Sequence, residues 1–185
     1  MLNQQTISIL HSLKLYGMAD SLEKRLADPK QASLSHAEFV GLLVQDENTH
    51  RDNLRLRRLL KKAKLRQEAA LEDIDYRHPR GLAKQVILEL SSTQWLDAHR
   101  TVLITGPTGI GKSYLACALG NFAARAGYTV LYMRVPRLFE TLQMARGDGS
   151  HLKLLTKLAR SQLLIIDDFL LTSPSDWERQ DFLEI

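Results

Sequence analysis

Apolar residues in the first two-fifths of the chain recur at the three-to-four spacing of helices. Leu15, Met18, Leu22 and Leu26 predict one or two helices over residues 5–28, with Gly17 as a bend and Pro29 as a stop. Ser35 and Glu38 have the spacing of a capping box, in which each side chain satisfies a backbone donor at a helix start. The helix they open runs to about Leu65. Phe39, Leu42, Leu43, Leu56, Leu59, Leu60 and Ala63 keep helical period on it, while Arg51, Arg55, Arg58 and Lys62 line another face. His78, Pro79, Arg80 and Gly81 interrupt the chain, and Leu82, Val86 and Leu90 predict a short helix leading to Trp95. From Arg100 the pattern changes. Apolar runs at Thr101–Thr105, Thr129–Val135 and Leu163–Asp167 alternate with helical patterns at Tyr114–Ala126, Pro136–Ala145 and His151–Arg160, the rhythm of a parallel α/β sheet. The expected organisation is a helical domain over residues 1–76 followed by an α/β domain over residues 77–185.

Composition narrows the class. With 44% hydrophobic and 25% charged residues among 185, the chain has the makeup of a soluble globular protein with one good core or two small ones. It has no run of about 18 apolar residues and no signal-peptide pattern at its start, so a cytoplasmic protein without a membrane partner is expected. The lone Cys117 excludes internal disulfides and thiolate metal clusters, and its apolar neighbours Leu115, Ala116, Ala118 and Leu119 predict a packing role.

Charge changes the picture more. The net charge is only +4, but Arg51–Arg66 holds eight Lys or Arg residues against the single acid Asp52, a local charge of +7. A charge run is ordinarily a solvated helix face, yet such faces intersperse acids for i,i+4 pairing, and here only Glu47 and Asp52 are at hand. The unrelieved cluster points to double-stranded DNA, with Arg51, Arg55, Arg58, Lys61, Lys62, Lys64 and Arg66 as the candidate contacts. Trp95 and Trp177 could stack on a base or on adenine, but their apolar neighbours favour core positions.

The most specific signal is Gly106, Pro107, Thr108, Gly109, Ile110, Gly111, Lys112 and Ser113, which fits G-x-x-x-x-G-K-[ST] after an apolar run and before a helix. Glycines let the backbone curl so that successive N–H groups face phosphate oxygens, and the following helix adds the positive end of its dipole. Lys112 is placed to reach the β- and γ-phosphates of ATP, and Ser113 to offer a hydroxyl to Mg2+, a cation that prefers oxygen ligands. Some 55 residues on, the apolar run Leu163–Ile166 ends in Asp167 and Asp168. Asp167 is assigned to Mg2+, directly or through water, and Asp168 to orienting or deprotonating the attacking water, so that Lys112 and Asp168 are the candidate catalytic residues.

With these motifs in place, the sequence resembles the IstB type of ATPase, a transposition helper encoded by bacterial insertion sequences. The likeness covers LKLYGMADSL, THRDNLRLRRLLKKAKLR, DIDYRHPRGL, TVLITGPTGIGKSYLACALG, LLIIDDFLL and DWERQDFLEI. Helicase loaders of the DnaC kind are its broader relatives. The resemblance implies a small all-α domain followed by an AAA+ P-loop NTPase with a three-layer parallel sheet. Lys112 and Ser113 then match the Walker A motif, and Asp167 and Asp168 the Walker B motif. The implied job is ATP-dependent binding of target DNA by a homo-oligomer that recruits the transposase of the same element. Two rival readings are a replicative helicase loader and a truncated DNA-binding module with a relic nucleotide site. The sequence departs from the family's pattern at Leu170, where glycine is usual. It also has no counterpart of the sensor residue, the arginine finger, the helical lid or the strand that lies between the loop strand and the acidic strand. The sheet is therefore expected to be incomplete toward its C-terminal end, leaving a chain that is poorly folded or hydrolytically feeble by itself.

Overall fold

The computed structural model describes residues 2–28, 34–77, 81–169 and 175–185. Backbone contacts divide the chain into two compact units, Met1–Arg57 and Arg58–Ile185. Pro29, the break at His78–Arg80 and the departure at Leu170 lie outside the described residues.

In the first unit, residues 2–28 form two helices, α1 (Leu2–Ser12) and α2 (Tyr16–Leu26). The bend between them is made by residues 13–15, with Lys14 at φ 60°. Gly17 is therefore not the bend. It lies inside α2, where an added Cβ would sit 2.5 Å from the Cβ of His50 and 2.9 Å from the carbonyl oxygen of Asp46. The glycine is there because α2 meets the backbone of α3 (His36–Ala63) at that point. The predicted capping box opens α3, with the Ser35 amide donating to Glu38 Oε2 at 2.9 Å and the Glu38 amide to Ser35 Oγ at 3.3 Å. Ile7, Ala19, Leu22 and Leu43 form the small core of this unit, with Leu10, Met18 and Phe39 packed against it. The buried Glu47 accepts from the Met18 amide at 3.0 Å and so caps α2, whose own N-cap residue, Leu15, makes no capping bond.

In the second unit, a 3-10 turn at Leu71–Asp73, α4 (Lys84–Leu90) and α5 (Gln94–Asp97) lead to α6 (Lys112–Arg125). There follow β1 (Val130–Arg134), α7 (Val135–Gly147), α8 (His151–Ala159), β2 (Leu163–Asp167) and α9 (Asp176–Leu183). β1 and β2 pair in parallel with Val130 opposite Leu163 and Arg134 opposite Asp167, which brings both C-terminal ends to one edge. Cys117, Ala118, Ala123, Ala124, Val130, Tyr132 and Ile165 form the main core, and Leu131, Leu138, Leu142 and Leu158 a second cluster. The packing role of Cys117 is as expected, and Trp95 is buried with its indole N–H donating to the Leu90 carbonyl at 3.0 Å. Trp177, in contrast, is 70% exposed, because α9 turns that face outward.

One expected strand is missing. Residues 101–105 join no ladder among the described residues, where the only sheet is β1–β2. Val102 and Ile104 still pack on the main core while Leu103 is 80% exposed, so the side chains alternate as in a strand. Alternation is a property of one segment, whereas a strand needs a neighbour to take its backbone hydrogen bonds, and none is present beside this run among the described residues.

Candidate nucleotide-binding site

The loop 106–113 connects the unpaired run to α6. Gly109 at φ 82° and Gly111 at φ 100° take left-handed conformations that a side chain would strain, and Gly111 is the N-cap of α6. An added Cβ at Gly109 meets nothing within 4 Å, so its glycine answers to backbone conformation and not to crowding inside the protein. The N-terminus of a 14-residue helix thus follows a glycine-built curl, an arrangement suited to anions. The Lys112 ammonium donates to the carbonyls of Gly106 and Pro107, both at 2.8 Å, and so bridges the loop on which it sits.

α6 and β2 bring the two motifs together. Gly120, two turns into α6, allows the approach: an added Cβ would lie 2.7 Å from Ile165 Cδ1 on β2 and 2.8 Å from Leu65 Cδ2. At the end of β2 the Ser113 hydroxyl lies near the Asp167 carboxylate and favours its charged form. Asp167 Oδ2 also accepts from the Tyr132 hydroxyl at 2.5 Å, and its Oδ1 from the Asp168 amide at 2.9 Å. Burial pushes the Asp167 carboxyl up, but the two hydroxyls, the Asp168 amide and the nearby Arg66 outweigh it and hold the group below the usual carboxylate range. Burial, and then the bond to Asp167, push the Tyr132 phenol well above its ordinary value, so it remains a donor. Asp168 has φ 57° and its carboxylate accepts from the Arg134 guanidinium.

The basic residues divide into two sets. Arg51 donates to Glu47 at 2.6 Å, and Arg66 lies 3.7 Å from Asp167 Oδ2, so both ends of the run have acidic neighbours. Arg55, Arg58, Lys61, Lys62 and Lys64 are exposed and make no ion pair within the described residues.

Sequence reasoning missed Tyr132 and Arg134 as neighbours of the acids. The signal was present: parallel strands end at one edge, so the last residues of β1 must flank those of β2. Another ion pair, from Arg146 to the buried Asp181, ties α9 to α7. No described helix is long and apolar enough to cross a membrane.

Ser113 and Asp167 are neighbouring hard oxygen donors, the kind of donor set that Mg2+ prefers. The loop amides, the dipole of α6 and Lys112 supply the positive counterpart for a polyphosphate.

The sequence matches the family model described as IstB-like ATP binding protein over residues 8–185. It is 46% identical to the "Insertion sequence IS1162 putative ATP-binding protein" of Pseudomonas fluorescens, across all of this chain and 80% of that relative. It is 44% identical to the "Putative insertion sequence ATP-binding protein y4pL" of Sinorhizobium fredii, across all of this chain and 76% of that relative. The "Insertion sequence IS21 putative ATP-binding protein" of Pseudomonas aeruginosa is 31% identical over 86% of this chain and 60% of its own length.

Proposed function

The chain belongs to the IstB-like family of insertion-sequence ATP-binding proteins, and from that premise we propose that it binds Mg2+–ATP at the 106–113 loop and hydrolyses it in the service of DNA transposition. The observation that carries this reading is the nearness of the Ser113 hydroxyl, at the N-terminus of α6, to the Asp167 carboxylate at the end of β2, which joins the two motifs.

Gly106, Pro107, Thr108, Gly109, Ile110 and Gly111 wrap the phosphates with backbone N–H groups. Lys112 exchanges its loop carbonyls for the β- and γ-phosphates. Ser113 and Asp167 would hold Mg2+, which would supply neutralisation of the triphosphate charge. Asp168 orients the attacking water in line with the γ-phosphate and accepts its proton, and the Arg134 guanidinium holds that carboxylate in position. We read the surrounding fold as an AAA+ module over residues 77–185 whose three-layer sheet is incomplete toward its C-terminal end, preceded by an all-α domain over residues 1–76. Arg51, Arg55, Arg58, Lys61, Lys62, Lys64 and Arg66 meet the backbone of double-stranded DNA, and a cytoplasmic homo-oligomer recruits the transposase of the same element. The +7 run supports the DNA assignment, and the insertion-sequence relatives support the partner.

Titration of the full chain with a fluorescent ATP analogue, in Mg2+ and in a chelator, tests the site. Saturable binding that Mg2+ tightens is the expected result, and an analogue that never binds would remove the proposal. For DNA, replacing Arg55, Arg58, Lys61 and Lys62 together is expected to flatten the salt dependence of duplex binding, by up to about 0.9 in the log–log slope for each phosphate left unneutralised. An unchanged slope reduces the run to a solvated face.

A further inference from the structure

Sequence alone groups Arg66 with the DNA contacts, yet its guanidinium lies at the acid assigned to Mg2+. We propose that Arg66 competes with Mg2+ for Asp167 and that a DNA phosphate, by drawing Arg66 away, tightens Mg2+ binding at the nucleotide site. The inference rests on the nucleotide reading above.

The chain is built to deliver Arg66 there. α3 ends at Ala63, and Lys64 turns the backbone through a left-handed conformation, φ 53°. Leu65 then packs on the main core, its Cδ2 so close to α6 that a Cβ at position 120 would lie 2.8 Å from it. With Leu65 anchored, the next side chain projects to the end of β2. Arg66 Nη1 stands 3.7 Å from Asp167 Oδ2, the same oxygen to which the Tyr132 hydroxyl donates. Arg66, Tyr132 and Ser113 thus converge on one carboxylate.

Two features make this an exchange and not a fixed ion pair. The Arg66 side chain is 50% exposed while that of Asp167 is only 13% exposed, so an outside anion can reach the arginine without reaching the acid. Arg58, Lys61, Lys62 and Lys64 stand exposed immediately before it, and a duplex drawn to them brings phosphates within reach of the same segment. Arginine suits such a transfer, because its planar fork fits a phosphate as well as a carboxylate. A guanidinium beside Asp167 opposes a second cation at that carboxylate, and pairing the guanidinium with phosphate removes the opposition. Binding linkage makes the effect reciprocal, so Mg2+–ATP must tighten DNA by the same factor. With Arg66 half in solvent the coupling is modest, roughly fivefold.

The experiment measures the Mg2+ concentration that half-saturates the full chain with a fluorescent ATP analogue, with and without a saturating short DNA duplex. In the native chain the duplex is expected to lower that concentration roughly fivefold. Arg66→Gln should show the lowered value without DNA, and DNA should then add nothing. Arg66→Lys, which keeps the charge, should restore most of the DNA response. Lys62→Gln should need more DNA to saturate but respond fully once saturated. An Arg66→Gln chain that responds to DNA as the native chain does would overturn the proposal, as would a Lys62→Gln chain that loses the response at saturating DNA. Normal analogue binding with no Arg66-dependent shift defeats this inference alone, whereas no analogue binding at any Mg2+ concentration defeats the proposed function with it.

Discussion

The two sides of the nucleotide site are held in place by different means. On the acid side, β2 is paired along its length with β1, and Asp167 at its end is fixed by Tyr132 and the Asp168 amide. On the loop side, residues 101–105 lead into the glycines without a ladder partner among the described residues, held by Val102 and Ile104 against the core and by the start of α6 beyond. Both runs are apolar, but successive side chains of β2 pack on two clusters whereas Leu103 faces solvent between Val102 and Ile104. The contrast teaches that side-chain pattern places a segment on a core, but only backbone pairing makes it rigid, so the phosphate loop hangs from the softer of its two supports.

The largest expected effect breaks that contrast most directly. Hydrogen exchange on the full chain should show the amides of residues 103–105 exchanging at least about a hundredfold faster than those of Leu164–Ile166, because unpaired amides open without unfolding the core. Equal protection would mean that the run is paired after all. Next, shortening a side chain on each side should cost unequally. Ile165→Ala, which empties a site between α6 and β1, should lose about 3 kcal/mol by chemical denaturation, and Val102→Ala only about 1 kcal/mol. Equal losses would make the loop side as tightly packed as the acid side.

Smaller effects separate the chemistry of the two sides. Lys112→Ala should weaken ATP-analogue binding roughly thirtyfold with or without Mg2+, since it removes a charge-assisted bond to phosphate. Asp167→Asn should remove only the part that Mg2+ adds. A matching loss in both variants under chelation would remove the division of labour. The smallest effect is on pH. Asp167 is held below the usual carboxylate range, so its favourable interactions are fully present above the unfolded value of about 4 and are lost as pH falls through the lower folded value. Stability should therefore fall in that acid window, and Asp167→Asn should flatten this part of the profile. A profile identical in both chains would assign acid sensitivity to other carboxylates, such as Asp46, which Ser21 and Arg25 also hold low.

Much of this is legible in sequence, and the exceptions share a cause. The glycine curl before α6, the Ser35–Glu38 cap and the two paired strands announce themselves through local spacing, since a curl, a helix start and a buried strand each need particular residues at fixed offsets. Gly17 misleads because a glycine required by close helix packing is indistinguishable in sequence from one that bends the chain. Residues 101–105 mislead because a ladder depends on a distant neighbour. Arg66 looks like one more cation in a basic run, and only the turn at Lys64 and the anchoring of Leu65 send it to Asp167.

The central claim is that the 106–113 amides and the Ser113–Asp167 pair together grip Mg2+–triphosphate. Residue-resolved hydrogen exchange with and without saturating Mg2+–ATP tests it most directly. Exchange at Thr108–Ser113 and at Asp168 is predicted to slow together, by about tenfold or more, while α1 and α2 stay unchanged. Saturating nucleotide that leaves the loop amides exchanging as before, or protects residues elsewhere instead, would contradict the account.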